Sequence, residues 1–167
     1  MCPAAHGSYT ARVPPDDDAP FELGTDGPLS ILVGVDGSTT SQRAGWYAAG
    51  LARRQGARVT AVYVAPVSAG LAVAGAAAGL EAARREADEQ ITSDMRRRAE
   101  EFSREFGVPI AFIAVRGDPF TELRRVAEEI HADAVVVGAS AHAGHRLVGS
   151  LAVRLVKAAR WPVTVVP

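Results

Sequence analysis

Two short stretches carry residue types that can do chemistry. They are Asp36-Gly37-Ser38, and a later run from Gly138-Ala139-Ser140-Ala141 through His142, His145 and Arg146 to Gly149-Ser150. The first sets a carboxylate, a turn-permitting glycine and a hydroxyl in succession, which suits the polar groups of a ribose or base. The same residues suit a helix start, where Asp and Ser side chains cap free N–H groups. The second run ends on Gly149-Ser150 before an apolar-periodic segment, where backbone N–H groups attract anions. A close-packed loop with Ser150 as an N-cap is the alternative there.

Other chemistries find little support. Ser140 and Ser150 lack the Gly-x-Ser-x-Gly setting of a serine hydrolase. No Gly-x-x-x-x-Gly-Lys-Ser/Thr run exists to cradle a triphosphate for transfer, and no general base stands out. His142 and His145 have no cysteine or carboxylate beside them, so they point to side-chain donors for an anion, with Arg146, and not to a metal. The single cysteine, Cys2, excludes an internal disulfide and suits a reducing compartment. The expectation is therefore no catalytic and no metal-binding residue.

The net charge of −1 argues against nucleic acid as partner, and the 48% hydrophobic content suits one domain with a sizeable core. Met1–Asp18 has no basic segment followed by an apolar run, and Ala69–Leu80 is too short and too rich in Ala and Gly to span a bilayer. A cytoplasmic protein without a membrane role is expected.

The elements that position the two stretches follow from periodicity. Met1–Pro28, with Pro14-Pro15 and Asp16-Asp17-Asp18, reads as a disordered leader, and the folded domain spans 29–167. Strands are predicted at Ser30–Val35, Arg58–Val64, Val108–Val115, Ala134–Val137 and Pro162–Val166. Helices alternate with them. One runs from Ser41 to Gln55, burying Ala44, Tyr47, Ala48 and Leu51, and one from Leu80 to Phe106 with a stripe at Ala87, Ile91, Met95, Ala99 and Phe102. A third is marked by Phe120, Leu123, Ala127 and Ile130, and a last runs from Ser150 to Ala159. Pro66–Gly79 reads as a loop with flexible glycines, while Tyr63, Trp46 and Trp161 read as core or interface aromatics. Such alternation implies an α/β fold with a doubly wound parallel sheet and helices on both faces. Ligands then bind beyond the carboxyl ends of the strands, where both chemistry-bearing stretches fall.

Taken together, Val33-Gly-Val-Asp-Gly-Ser38, Val115-Arg-Gly-Asp-Pro119, the Gly138 to Ser150 loop and Trp161-Pro-Val-Thr-Val-Val166 resemble the universal stress protein family. The resemblance covers Leu29–Pro167. It implies an adenine-nucleotide α-hydrolase-like fold of strand order 3-2-1-4-5, a homodimer formed through the last strand, and an adenine nucleotide, ATP or AMP, held without efficient turnover. Mg2+ would accompany ATP. Carried over by position, Asp36 contacts the nucleoside, Val35 and Val64 flank the base, Gly138, Gly149 and Ser150 hold the phosphates, and Ser140, Ala141 and Leu151 complete the nucleotide-binding set, with Arg116, His142, His145 and Arg146 as weaker phosphate candidates. The loop departs from the ATP-binding pattern Gly-x-x-Gly-x9-Gly-Ser. Ala141 stands at the second glycine, and only seven residues, His142–Val148, precede Gly149. A Cβ at that position and a shorter cradle favour a smaller or weaker adenine ligand over tight triphosphate capture. The alternative is a family member that binds no nucleotide and acts as a dimeric interaction module.

Overall fold

In a computed structural model the described residues are 27–65, 77–140 and 150–167. The expected leader up to residue 26, the loop 66–76, and Ala141, His142, His145, Arg146 and Gly149 lie outside them. The elements in chain order are β1 (Ser30–Val35), α1 (Thr39–Gln55), β2 (Arg58–Ala65), α2 (Ala77–Phe106), β3 (Ile110–Arg116), α3 (Pro119–Glu129), β4 (Ala134–Gly138), α4 (Ser150–Ala158) and β5 (Val163–Val166). All strand pairs are parallel, in the order β3-β2-β1-β4-β5. Val33 lies in register with Ala61 of β2 on one side and Val136 of β4 on the other.

Strand alternation divides the core in two. Ile31, Val33, Val59, Ala61 and Val136 meet Ala44, Ala48 and Ala52 of α1 on one face. Leu32, Val62, Val135 and Val137 meet Leu123, Val126 and Ala127 of α3 and Ala152 and Leu155 of α4 on the other. The chain winds outward from β1 to β3 under α1 and α2, then returns through α3 to β4, so the order reverses between β1 and β4. That reversal opens the crevice in which open α/β sheets take ligands.

Two details differ from the periodicity. Tyr47 is 43% exposed, while Ser41, Ala49 and Ala52 join Ala44 and Ala48 in the buried stripe of α1. Small residues let the helix backbone lie close to the sheet and push the bulky ring aside. The second helix begins at Ala77, not Leu80, because Ala77 and Ala78 favour helix and Gly79 is tolerated within it. At a rise of about 1.5 Å per residue it runs roughly 45 Å, against about 26 Å for β2. Its first half therefore overhangs the carboxyl ends of the strands, which leaves Ala87 exposed and Ile91 40% exposed instead of buried. Met95, Ala99 and Phe102 do face inward, lining a cleft of about 290 Å3 between α1, α2 and the sheet.

Candidate functional site

The turn after β1 is built by its own side chains. Asp36 Oδ1 accepts the Ser38 N–H at 2.9 Å across Gly37, whose φ of 83° a residue with a side chain rarely adopts. Ser38 is the N-cap of α1, its Oγ accepting the Ser41 N–H at 3.1 Å. The buried Ser41 hydroxyl donates to the Ser38 carbonyl at 3.0 Å and accepts the Asp36 N–H at 3.3 Å. Burial works to raise the Asp36 pKa, but the hydrogen bonds from Ser38 and Ser41 outweigh it and hold the carboxyl below its ordinary value. Asp36 is thus an exposed, fixed anion at the crevice. The capping reading of Ser38 holds, and it leaves the Asp36 carboxylate presented beside it.

Across the crevice, β4 ends at Gly138, and Ala139 donates its N–H to the Val166 carbonyl at 2.7 Å. A Cβ on Gly138 would sit 2.6 Å from the Thr40 carbonyl carbon and 2.7 Å from the Ser41 nitrogen. The glycine is therefore required by the approach of α1 to β4, whatever binds beyond it. Ser140 and Ser150 are exposed, and Leu151 is partly buried against the α3–α4 core. The first turn of α4 contains no acidic residue, so its free N–H groups and dipole face the crevice uncompensated from within the helix.

The other sequence candidates are not all brought together. Val35 packs with the α1 face and Val64 with the α3–α4 face, so their side chains lie on opposite sides of the sheet. They approach one ligand only as neighbouring strand ends. Arg116 closes β3, two strands away from β1, and its guanidinium pairs with Asp88 of α2 at 3.1 Å. Both line a cleft of about 460 Å3 with Thr92, Ser93 and Arg96, beneath the overhang of α2. Arg116 thus belongs to the β2–β3 end and stands apart from the start of α4.

One arrangement escaped the sequence. Arg154 of α4 donates to both carboxylate oxygens of Asp118, at 3.0 and 3.1 Å, and lies 4.3 Å from the centre of the Phe120 ring. Asp118 is also the N-cap of α3, accepting from Thr121 N and Oγ1. The Arg154 guanidinium first, then Thr121, lower its pKa to about 2. Asp118 before Pro119 is a cap signature that could have been read locally. Its partner 36 residues away left no local signal.

Among the described residues no group of three or more His, Cys, Asp or Glu side chains is placed to hold a metal, and no helix is long and apolar enough to cross a membrane. The model of the universal stress protein family matches residues 29–167. A universal stress protein of Methanocaldococcus jannaschii is 33% identical over 140 residues, 81% of this chain and 80% of that protein. Among solved structures, a universal stress protein family member from Burkholderia pseudomallei is 31% identical with a TM-score of 0.62, covering 83% of this chain and 96% of that one. Universal stress protein UspA from Lactobacillus plantarum is 29% identical with a TM-score of 0.70, covering 83% and 97%. Two more distant folds, each 23% identical, are a universal stress protein in complex with cAMP and the Archaeoglobus fulgidus protein in complex with dAMP. With its family motifs, strand order and this match over the whole described sheet, the chain belongs to the universal stress protein family.

Proposed function

We propose that this chain is a stress-response regulatory domain that binds an adenine nucleotide, ATP or AMP, at the carboxyl ends of β1 and β4 and does not turn it over efficiently. The observation that carries the reading is the pairing across one crevice of the fixed Asp36 carboxylate with an α4 start free of acidic residues. Asp36 accepts hydrogen bonds from the nucleoside, and the N–H groups from Ser150 onward take the phosphates. That relatives on this fold are seen with cAMP and dAMP supports an adenine ligand with few phosphates, in line with Ala141 and the short loop. The absence from the sequence of a Gly-x-x-x-x-Gly-Lys-Ser/Thr run supports binding without efficient turnover. Mg2+ enters only with ATP. Calorimetric titration of the purified chain with ATP, AMP and cAMP tests the reading. Heat with at least one of them, lost in Asp36→Ala, is expected; no heat with any overturns it.

The edge position of β5 favours a homodimer formed through it as the setting of this regulation, since an edge strand offers unpaired backbone groups to a second copy. Sedimentation equilibrium giving a monomer across the micromolar range overturns that part alone.

A further inference from the structure

Tyr63 is the third residue from the carboxyl end of β2, in register with Val35 of β1 and Ala114 of β3. Val62 before it packs with the α3–α4 core, so alternation puts the Tyr63 ring on the α1–α2 side, immediately beside the strand end that carries Asp36. The residue is 7% exposed, yet its hydroxyl forms no hydrogen bond among the described residues. No fully buried side-chain polar atom there lacks a partner, so this hydroxyl is not sealed into the core and opens toward solvent. Three charges surround it: Asp36 after β1, Asp88 on the overhanging half of α2, and Arg116 at the end of β3. Burial first, then Asp88 and Asp36, raise the phenol pKa, while Arg116 works the other way. All three charged groups stand at the carboxyl ends of the sheet, which places the hydroxyl at that end as well.

A phenol held this way is a neutral donor at ordinary pH, pre-positioned and without an acceptor of its own in the described fold. Open to solvent and without a protein acceptor among the described residues, the hydroxyl is free to exchange a water for a polar group of a ligand. The phosphate end of the crevice lies at β4, on the other side of β1. Tyr63 on β2 therefore faces the opposite, nucleoside end of a ligand stretched across strand spacings of about 4.8 Å.

We propose that Tyr63 is a ligand-binding residue whose hydroxyl donates a hydrogen bond to the nucleoside part of the bound nucleotide, next to Asp36. This rests on the nucleotide reading above. It adds a recognition role for the hydroxyl to the core packing of the ring, and explains why a polar ring stands where Val or Phe would fill the same strand position.

The test is Tyr63→Phe, which removes one oxygen and keeps the ring. Melting temperature and affinities for adenosine, AMP and ATP are measured for both proteins. The expected result is an unchanged melting temperature with affinity weakened about tenfold for all three ligands alike, because the lost bond is to their shared part. A lowered melting temperature with unchanged affinities shows a structural hydroxyl and overturns the proposal. So does equal affinity with equal stability. Weakening confined to ATP, which puts the contact at the phosphates, overturns the nucleoside assignment. If the wild-type chain binds none of the three, the nucleotide reading falls and this assignment falls with it; wild-type binding that Tyr63→Phe leaves intact sinks the assignment alone.

Discussion

The two faces of the sheet are covered by different means. On the α3–α4 face, Leu32, Val62, Val126, Val135 and Leu155 are almost completely buried, and the two ends of α3 are tied by ion pairs, Asp118 to Arg154 in the middle of α4 and Glu128 to Arg160 just after it. On the α1–α2 face, α1 lies close through alanines, but α2 is held to it by the Trp46–Phe102 and Trp46–Phe106 edge contacts, with ring centres 4.8 and 5.3 Å apart, and the cleft remains between them. The tightly filled face carries α4, whose first turn is held in place by that packing. The loosely filled face carries α2, which overhangs the crevice at its Asp36 and Tyr63 side. Rigidity and slack are thus divided between the α4 side and the Asp36 side of the crevice.

That contrast is open to attack by substitution. Leu155→Ala, at a fully buried site, should destabilise by about 2–5 kcal/mol in urea unfolding, whereas Phe102→Ala beside the cleft should cost less than half as much. Equal costs would show the two faces to be equally packed.

A smaller effect of opposite sign is expected at Gly45 in α1. A Cβ there meets nothing within 4 Å, so Gly45→Ala should stabilise by about 0.5–1 kcal/mol through helix propensity alone. A loss of stability would mean that the cleft tolerates less than its geometry suggests.

The weakest effect belongs to the exposed Asp118–Arg154 pair, and it is seen through pH. The Asp118 pKa of about 2 lies below the ordinary 3.8, so its contribution is complete above 3.8 and is lost as pH falls through about 2. The melting-temperature gap between wild type and Asp118→Asn should therefore stay level from neutral pH down to the ordinary carboxylate range and close toward pH 2. A gap that widens on acidification would contradict the ion-pair reading.

Much of this was legible in the chain. Every strand and helix is present, because β-branched runs such as Ala134-Val-Val-Val137 and stripes such as Leu123 and Ala127 encode burial within a few residues. The strand order came from motif resemblance and not from periodicity, since nothing local in β4 says that it pairs with β1. Periodicity misjudges Ala87 and Ile91 because it assumes that an apolar stripe meets a sheet along its whole length, and α2 is longer than the sheet; it misjudges Tyr47 because the small residues of α1 take the buried stripe instead. Asp36 is legible in sequence as a capping or binding residue; the cap of α1 is Ser38, and Asp36 fixes the turn before it. Tyr63 reads as a core aromatic in sequence, and its ring is buried, 7% exposed; the open hydroxyl at the strand end leaves no local signal.

Gly138 has a consequence for how such chains are compared. Its glycine is imposed by the backbone of α1 passing within 3 Å of where a Cβ would stand, so selection on folding alone would preserve it. A signature glycine at this position is therefore no vote for a ligand. A descendant that had lost every trace of nucleotide affinity would still carry it, and counting it as part of a phosphate motif would credit architecture to function.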